Sequence, residues 1–363
     1  FMNVEIPKGD TAADIQQGEF LLIGCRHGSE PALEIRQKIA FPSFQKSYWR
    51  KGLVTFRVPP QTLKDSQWND FEIPADVLDN LVFARIGIRS LGQVTGQTIE
   101  ERVAATHHLL TSIHFQAVHV WKRDPRLKVD TESIHRKLTE SFVSLNENLF
   151  LSTTHLILDC VIDSEDRWWI GVHNNESRAG QWPGGYYTHQ IPAQKISRAW
   201  LKLDEAIARF GINFEPGERV CELGAAPGGA CQRLLEADLE VVGVDPAAID
   251  SQIAEHARFT HWKKRARDVR IRTFHGFDWI LTDMNIDPAS TMAALERILV
   301  SPSLRPRGII ATLKLSDVSI AEKIGQWCTS FASWGYQTQV QQLSTGGQEI
   351  CLVAQKTHAH KSE

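Results

Sequence analysis

Apolar and polar positions follow two different rhythms along this chain, and the change falls near residue 190. Upstream, short apolar runs predict strands: FLLIGC (20–25), GLVTFRV (52–58), NLVFARIGI (80–88), AVHVWKR (117–123), HLILDCVI (155–162) and RWWIGVH (167–173). Helical spacing in PALEIRQKIA (31–40) and TESIHRKLTESFVSLNENLF (131–150) predicts helices among them, without a regular βα alternation. An α+β region of two small subdomains, 1–75 and 76–190, is therefore expected. NNESRAGQWPGGYYTHQIPAQ (174–194), rich in Gly, Pro and polar residues, reads as a linker or surface loop.

From Ser197 the order alternates. A helix at 197–209 precedes strand ERVCEL (218–223), a helix at 228–237, strand LEVVGV (239–244) and a strand or loop at 258–264. Strand DWILT (278–282), a helix at 289–300, strand GIIATLKL (308–315) and a helix at 318–333 follow, then β-like runs YQTQVQQL (336–343) and EICLVAQ (349–355). Such alternation predicts a doubly wound α/β domain with right-handed crossovers over 191–363.

Composition narrows the class without changing the fold. The 363 residues, 42% hydrophobic and 23% charged, fit folded domains rather than a fibre or a disordered tail. The apolar runs are too short to span a bilayer and the first residues lack a basic-then-apolar leader, so no membrane association and a cytoplasmic location are expected. Phe1, ahead of Met2, is set aside as foreign to the natural start. The six cysteines (25, 160, 221, 231, 328, 351) form no CxxC pair and have no His set beside them, which favours buried thiols over zinc or disulfides. A net charge of −3 argues against indiscriminate nucleic-acid coating, yet HWKKRARDVRIR (261–272) concentrates Lys263, Lys264, Arg265, Arg267, Arg270 and Arg272 around Asp268. That run is a solvated face or a phosphate contact.

Chemistry in a doubly wound domain belongs at the carboxyl ends of the strands, starting with the first βα turn. Here it reads Glu222, Leu223, Gly224, Ala225, Ala226, Pro227, Gly228, Gly229. A dinucleotide loop needs a bare second glycine where Ala226 stands, so pyrophosphate is disfavoured. The bend still offers helix N-terminal amides to a smaller anion such as the carboxylate of S-adenosylmethionine. Glu222 suits that molecule's ammonium, and Asp245, closing the next strand, suits the ribose hydroxyls. As purely structural residues, Glu222 is a strand position and Asp245 a turn former.

SRAWLKLDEA, LGAAPGG, VDP, TDM and ATLKL, in that order, resemble the FtsJ-like ribose 2′-O-methyltransferases over residues 197–355. The long N-terminal extension is most similar to members acting on large-subunit ribosomal RNA. CRHGSEPALEI, NLVFARIGI and HLILDCVIDSEDRWWIGV carry the upstream likeness, the last to an RNA-binding THUMP-type segment. The resemblance implies a Rossmann-like fold, mostly parallel with one antiparallel strand, S-adenosylmethionine as cofactor, no metal, and a cytidine of large-subunit ribosomal RNA as target. It also implies a catalytic set of Lys202, Asp283, Lys314 and Glu349, cofactor contacts from Glu222, the loop Gly224 to Gly229, Asp245 and Asp283, and an adenine contact from Asp268. The aromatic residue common after the paired glycines is replaced by Ala230.

Singly, each member of the catalytic set reads as a surface salt bridge. Spread over nearly 150 positions, the four meet only if the sheet gathers its strand ends beside the helix of Lys202. Were Lys314 a base near pH 7, its pKa would have to fall roughly three units from about 10.4, a cost of about 4 kcal/mol. Burial and Lys202 favour that fall while Asp283 and Glu349 oppose it. The less demanding role is to orient the hydroxyl as its proton leaves. No N-P-P-Y tetrad follows Asp283, and Cys328 and Cys351 read as core, which disfavours base methylation. Methylation of tRNA or a cap, methylation of a small molecule, and a silent scaffold that only binds RNA are the alternatives; oligomeric state is not legible.

Overall fold

The computed structural model describes residues 20–63, 73–110, 115–143, 156–174, 178–188, 192, 194–301 and 303–356. The chain divides into two compact units at Tyr186/Tyr187.

The first unit carries strands β1 (Phe20–Cys25), β2 (Gln45–Arg50), β3 (Leu53–Arg57), β4 (Ala84–Thr95), β5 (Ala117–Lys122), β6 (Leu156–Ser164) and β7 (Arg167–Asn174). They form one sheet in the order β2-β3-β1-β4-β7-β6-β5. Neighbours are antiparallel except β5 and β6. That parallel pair needs a crossover, supplied by the helix Thr131–Phe142, whose Asp130 side chain accepts from the amides of Glu132 and Ser133. Because β4 pairs with β1 on one side and β7 on the other, the sheet runs without a break across the expected division at 75/76. Residues 144–150 of the expected helix, and 175–177, 189–191 and 193 of the expected loop, lie outside the described residues.

Two elements of this unit escape the hydrophobic pattern for visible reasons. Strand β2, QKSYWR, is an edge strand exposed at five of its six positions, so no apolar alternation marks it. The helix Ile99–Leu109 buries Arg102 and Thr106 rather than an apolar stripe. Arg102 lies 4.6 Å over the ring of Trp168, a fully buried residue of the core formed with Ile134, Leu138, Leu158 and Ile170.

The second unit carries β8 (Arg219–Leu223), β9 (Glu240–Val244), β10 (Phe259–Trp262), β11 (Trp279–Thr282), β12 (Gly308–Lys314), β13 (Tyr336–Gln341) and β14 (Glu349–Lys356). Their order is β10-β9-β8-β11-β12-β14-β13. The first five run parallel, and β14 is antiparallel to both its neighbours. This is the mixed α/β, Rossmann-like arrangement, with the strand order reversing between β8 and β11, where such folds open a crevice. The helix Arg198–Phe210 starts at Ser197, whose hydroxyl accepts from the amide of Ala199, and stops at left-handed Gly211. It buries Trp200, Leu203 and Ala206. The expected helix over 318–333 is a 3₁₀ turn, Val318–Lys323, continuing into the α-helix Ile324–Ser333. Among the described residues no helix is long and apolar enough to cross a membrane.

Candidate functional site

Strand register does most of the assembly. Lys314 ends β12 and Glu349 opens β14, and the antiparallel pairing sets them directly opposite each other. Asp283 follows the last residue of β11, with its amide donating to Leu223 O at 3.1 Å. Lys202 reaches in from the helix Arg198–Phe210. The Lys314 ammonium donates to Asp283 Oδ1 at 3.0 Å and to Glu349 Oε2 at 2.5 Å. Lys202 donates to Asp283 Oδ2 and lies 3.2 Å from Glu349 Oε1. Two amines and two carboxylates thus alternate around a closed ring of zero net charge, with side chains 11 to 27% exposed. Neutrality is what makes so many charges tolerable at partial burial.

The ring fixes its own protonation. Burial pulls the Lys314 ammonium down, but the hydrogen bond to Glu349 and the charge of Asp283 outweigh it and hold Lys314 above its ordinary value. Burial likewise pushes Asp283 and Glu349 up, and the two lysines overcome it, holding both carboxyls below their ordinary values. All of these shifts favour the charged forms.

Beside the ring a small cavity opens under the helix, lined in part by Lys202, Glu222, Ala230, Thr282 and Asp283. Glu222 is fully buried, and burial pushes its carboxyl up to about 8 against a hydrogen bond from the Cys231 thiol at 2.8 Å. The Thr282 hydroxyl is also buried and lacks a hydrogen-bond partner. A cavity with an under-paired acid and an orphaned hydroxyl suits a ligand that brings its own ammonium.

The glycine-rich turn adjoins it. Gly224 has φ +86°, and a Cβ there would lie 3.0 Å from the backbone of Met284, so both the left-handed turn and the close passage after Asp283 require glycine. At Gly229 a Cβ would meet the Ser197 hydroxyl at 2.0 Å, which lets the two helix starts approach each other. Ala225 is buried, Ala226 half-buried, Pro227 exposed, and Gly228 is left-handed at the start of the helix Gly229–Leu235. Asp245 turns toward this loop, accepting from the amides of Ala226 at 3.1 Å and Ala247 at 2.8 Å. Asp268 is set apart: it is exposed on the turn Ala266–Asp268, 4.0 Å from Arg267, and is not among the residues lining the cavity. The six cations of the 261–272 run are all exposed past the end of β10. Arg297 anchors their backbone through the carbonyls of Ala266, Arg267 and Val269.

Sequence reasoning missed Glu205. Its carboxylate, fully buried, accepts from the amides and hydroxyls of Ser344 and Thr345 at 2.8 to 2.9 Å and from Arg209 at 2.9 Å. It therefore ties the loop leading into Glu349 to the helix that carries Lys202. Only the four-residue spacing of Glu205 and Arg209 was visible beforehand, and it signals nothing more than a helix pair. Tyr187, donating to Asp204, was hidden in the presumed linker.

Residues 196–357 match the family model described as FtsJ-like methyltransferase. The curated relatives carry the name ribosomal RNA large subunit methyltransferase M. That of Halorhodospira halophila is 30% identical over 48% of this chain and 51% of its own length. The Azotobacter vinelandii protein is 33% identical over 35% of this chain and 37% of its own. The Teredinibacter turnerae protein is 28% identical over 60% and 64%. The chain spans about half the length of the curated relatives it matches. The alternating sheet, the glycine turn and the ring of lysines and acids lie within the matched span, so it is residues 196–357 of this chain that are similar to the FtsJ-like methyltransferases.

Proposed function

We propose that this chain transfers a methyl group from S-adenosylmethionine to a ribose 2′-hydroxyl of RNA, in large-subunit ribosomal RNA and at a cytidine, in the cytoplasm. The observation that carries the proposal is the closed ring of Lys202, Asp283, Lys314 and Glu349 beside a cavity floored by Glu222. The names of the relatives support the RNA class.

S-adenosylmethionine would supply an activated methyl group on a sulfonium. Glu222 suits its ammonium and the amides of Gly224 to Gly229 its carboxylate. Asp245 suits the ribose hydroxyls once it exchanges its backbone partners for them, and exposed Asp268 suits the adenine amino group. The ring's task is positioning. A hydroxyl entering it meets ammonium donors and carboxylate acceptors already oriented, which fixes the direction of attack. Because Lys314 is held protonated by Glu349 and Asp283, it serves as a donor that orients the oxygen's lone pairs, rather than as a neutral base. The departing proton finds acceptors in Asp283 and Glu349. The cations of the 261–272 run take RNA phosphate.

Calorimetry with S-adenosylmethionine, paired with mapping of methylated riboses in ribosomal RNA from cells with and without the gene, tests this reading. Cofactor binding together with loss of one ribose methyl is expected. Binding with no transfer to any RNA would leave a silent scaffold instead.

A further inference from the structure

A second charged feature lies in the first unit. The turn between β2 and β3 and the segment after β5 enclose an open cleft lined by Tyr48, Trp49, Arg50, Lys51, Arg123 and Arg126, together with Asp124. Its organisation starts from one buried carboxylate. Asp163, 1% exposed at the end of β6, holds Arg123 Nε at 2.5 Å, Arg50 Nε at 3.7 Å and Arg167 Nη1 at 3.9 Å, and accepts from the Tyr48 hydroxyl at 3.2 Å. One negative charge therefore gathers three guanidinium groups, leaving a surplus of two positive charges. The Nε of Arg167 is buried with no hydrogen-bond partner. Arg123 is fixed further by donating to Lys51 O at 3.2 Å, and Arg50 lies 5.7 Å over the Tyr48 ring. Asp124 is taken up by Arg126, its carboxyl driven well below the usual range by that guanidinium. Trp49 stands beside the cluster with its indole half exposed, the most exposed aromatic residue among the large hydrophobics of the described chain.

Pre-oriented guanidiniums beside an exposed flat indole match the alternation of phosphate and base in a single strand of nucleic acid. An acidic peptide would use the charges but leave Trp49 without a flat partner. We infer that the cleft between Trp49, Arg50, Lys51, Arg123 and Arg126 holds a single-stranded segment of the RNA substrate, one base stacked on Trp49 and its neighbouring phosphates on Lys51 and the arginines. This rests on the RNA-methylating reading above and adds where the first unit takes hold of that RNA.

The test is anisotropy of a labelled single-stranded RNA oligonucleotide with the full chain, over a salt series. Trp49→Ala should weaken binding about tenfold with an unchanged salt slope, because stacking releases no counterions. Lys51→Gln with Arg126→Gln should flatten the log–log salt slope by about 1.4, two phosphate contacts at roughly 0.7 each. All of these side chains lie at the surface, and unchanged thermal unfolding confirms that the variants fold. RNA affinity and slope equal to wild type in both variants overturn the cleft while wild-type methyl transfer leaves the enzymatic reading standing. A wild-type chain that neither binds nor methylates RNA sinks both. Variants that lose affinity for polyglutamate while keeping it for RNA assign the cleft to an acidic protein and overturn the inference.

Discussion

Each unit contains a cluster of charged side chains drawn together by a seven-stranded sheet, and the two clusters differ in where on their strands they lie. In the first unit Asp159, completely buried in mid-strand β6, accepts from Trp121 Nε1 at 3.1 Å and from His173, whose other ring nitrogen faces Gly180 O at 2.9 Å. Its neighbours across β5 and β7 are His119 and Gly171. In the second unit the ring of Lys202, Asp283, Lys314 and Glu349 sits at strand ends, partly exposed, beside a cavity. The first cluster is locked in by its surroundings, so its chemistry goes into holding strands and the 178–185 turn together. The second ends where the backbone leaves the sheet, so the same kinds of bond stay open to exchange. Burial alone does not mark an active site; burial at the edge of a crevice does.

The sharpest way to break this contrast is Lys314→Ala. It opens the ring without touching the floor of the cavity. Methyl transfer should fall about a thousandfold, while cofactor affinity by calorimetry stays within about threefold of wild type, below 1 kcal/mol. Transfer retained within about tenfold, a loss of under 1.4 kcal/mol, would make the ring as structural as the Asp159 cluster.

Trp168→Ala attacks the other side of the comparison. It empties the core of the first unit and removes the ring under Arg102, so that unit should lose about 3–5 kcal/mol. Scanning calorimetry should show one transition lowered while the transition raised by S-adenosylmethionine keeps its midpoint. Equal lowering of both would mean that the two units unfold as one.

Glu205→Gln is a gentler probe. The amide keeps the size of the side chain but cannot accept from these five donors at once, so the Ser344–Thr345 loop loosens and Glu349 loses its alignment with Lys202. A drop in kcat of about ten- to thirtyfold, roughly 1.4–2 kcal/mol, is expected with KM for cofactor little changed, and Glu205→Asp should recover part of it. A change in KM alone would deny it a positioning role.

What was legible beforehand follows the same division. The inner strands β8, β9, β11, β12 and β14 of the second unit carry near-continuous apolar runs because they are buried along most of their length, and the motifs at their ends name the ring residues outright. Strand β2 and the helix Ile99–Leu109 were not legible: one is an exposed edge, the other buries Arg102 and Thr106. Glu205 was invisible for a related reason, since its partners lie about 140 positions away and backbone amides leave no trace in a sequence. The protonation of Lys314 stayed open until distances showed that its two acids outweigh burial.

The smallest effect concerns the acid side of the first unit's stability. His119 is faced by Asp159, His173 and His135, and burial pulls its pKa down to about 4. A histidine lowered in the folded state from its ordinary 6.5 stabilises fully above that value and loses its contribution as pH falls from 6.5 toward 4. His173 runs the other way: burial pulls it down, the charge of Asp159 together with the hydrogen bonds to Asp159 and Gly180 more than compensates, and its raised value gives stability that is complete below 6.5 and lost as pH rises through the folded pKa. The cluster's contribution therefore peaks near 6.5 with limbs of separate origin. His119→Gln should flatten the acid limb alone, by about 1 kcal/mol between pH 6.5 and 5.5, read from denaturant unfolding of the first unit's transition. An unchanged acid limb in the variant would mean that His119 titrates in the folded unit as it does in the unfolded chain, and that this cluster is more open to water than its place in mid-sheet requires.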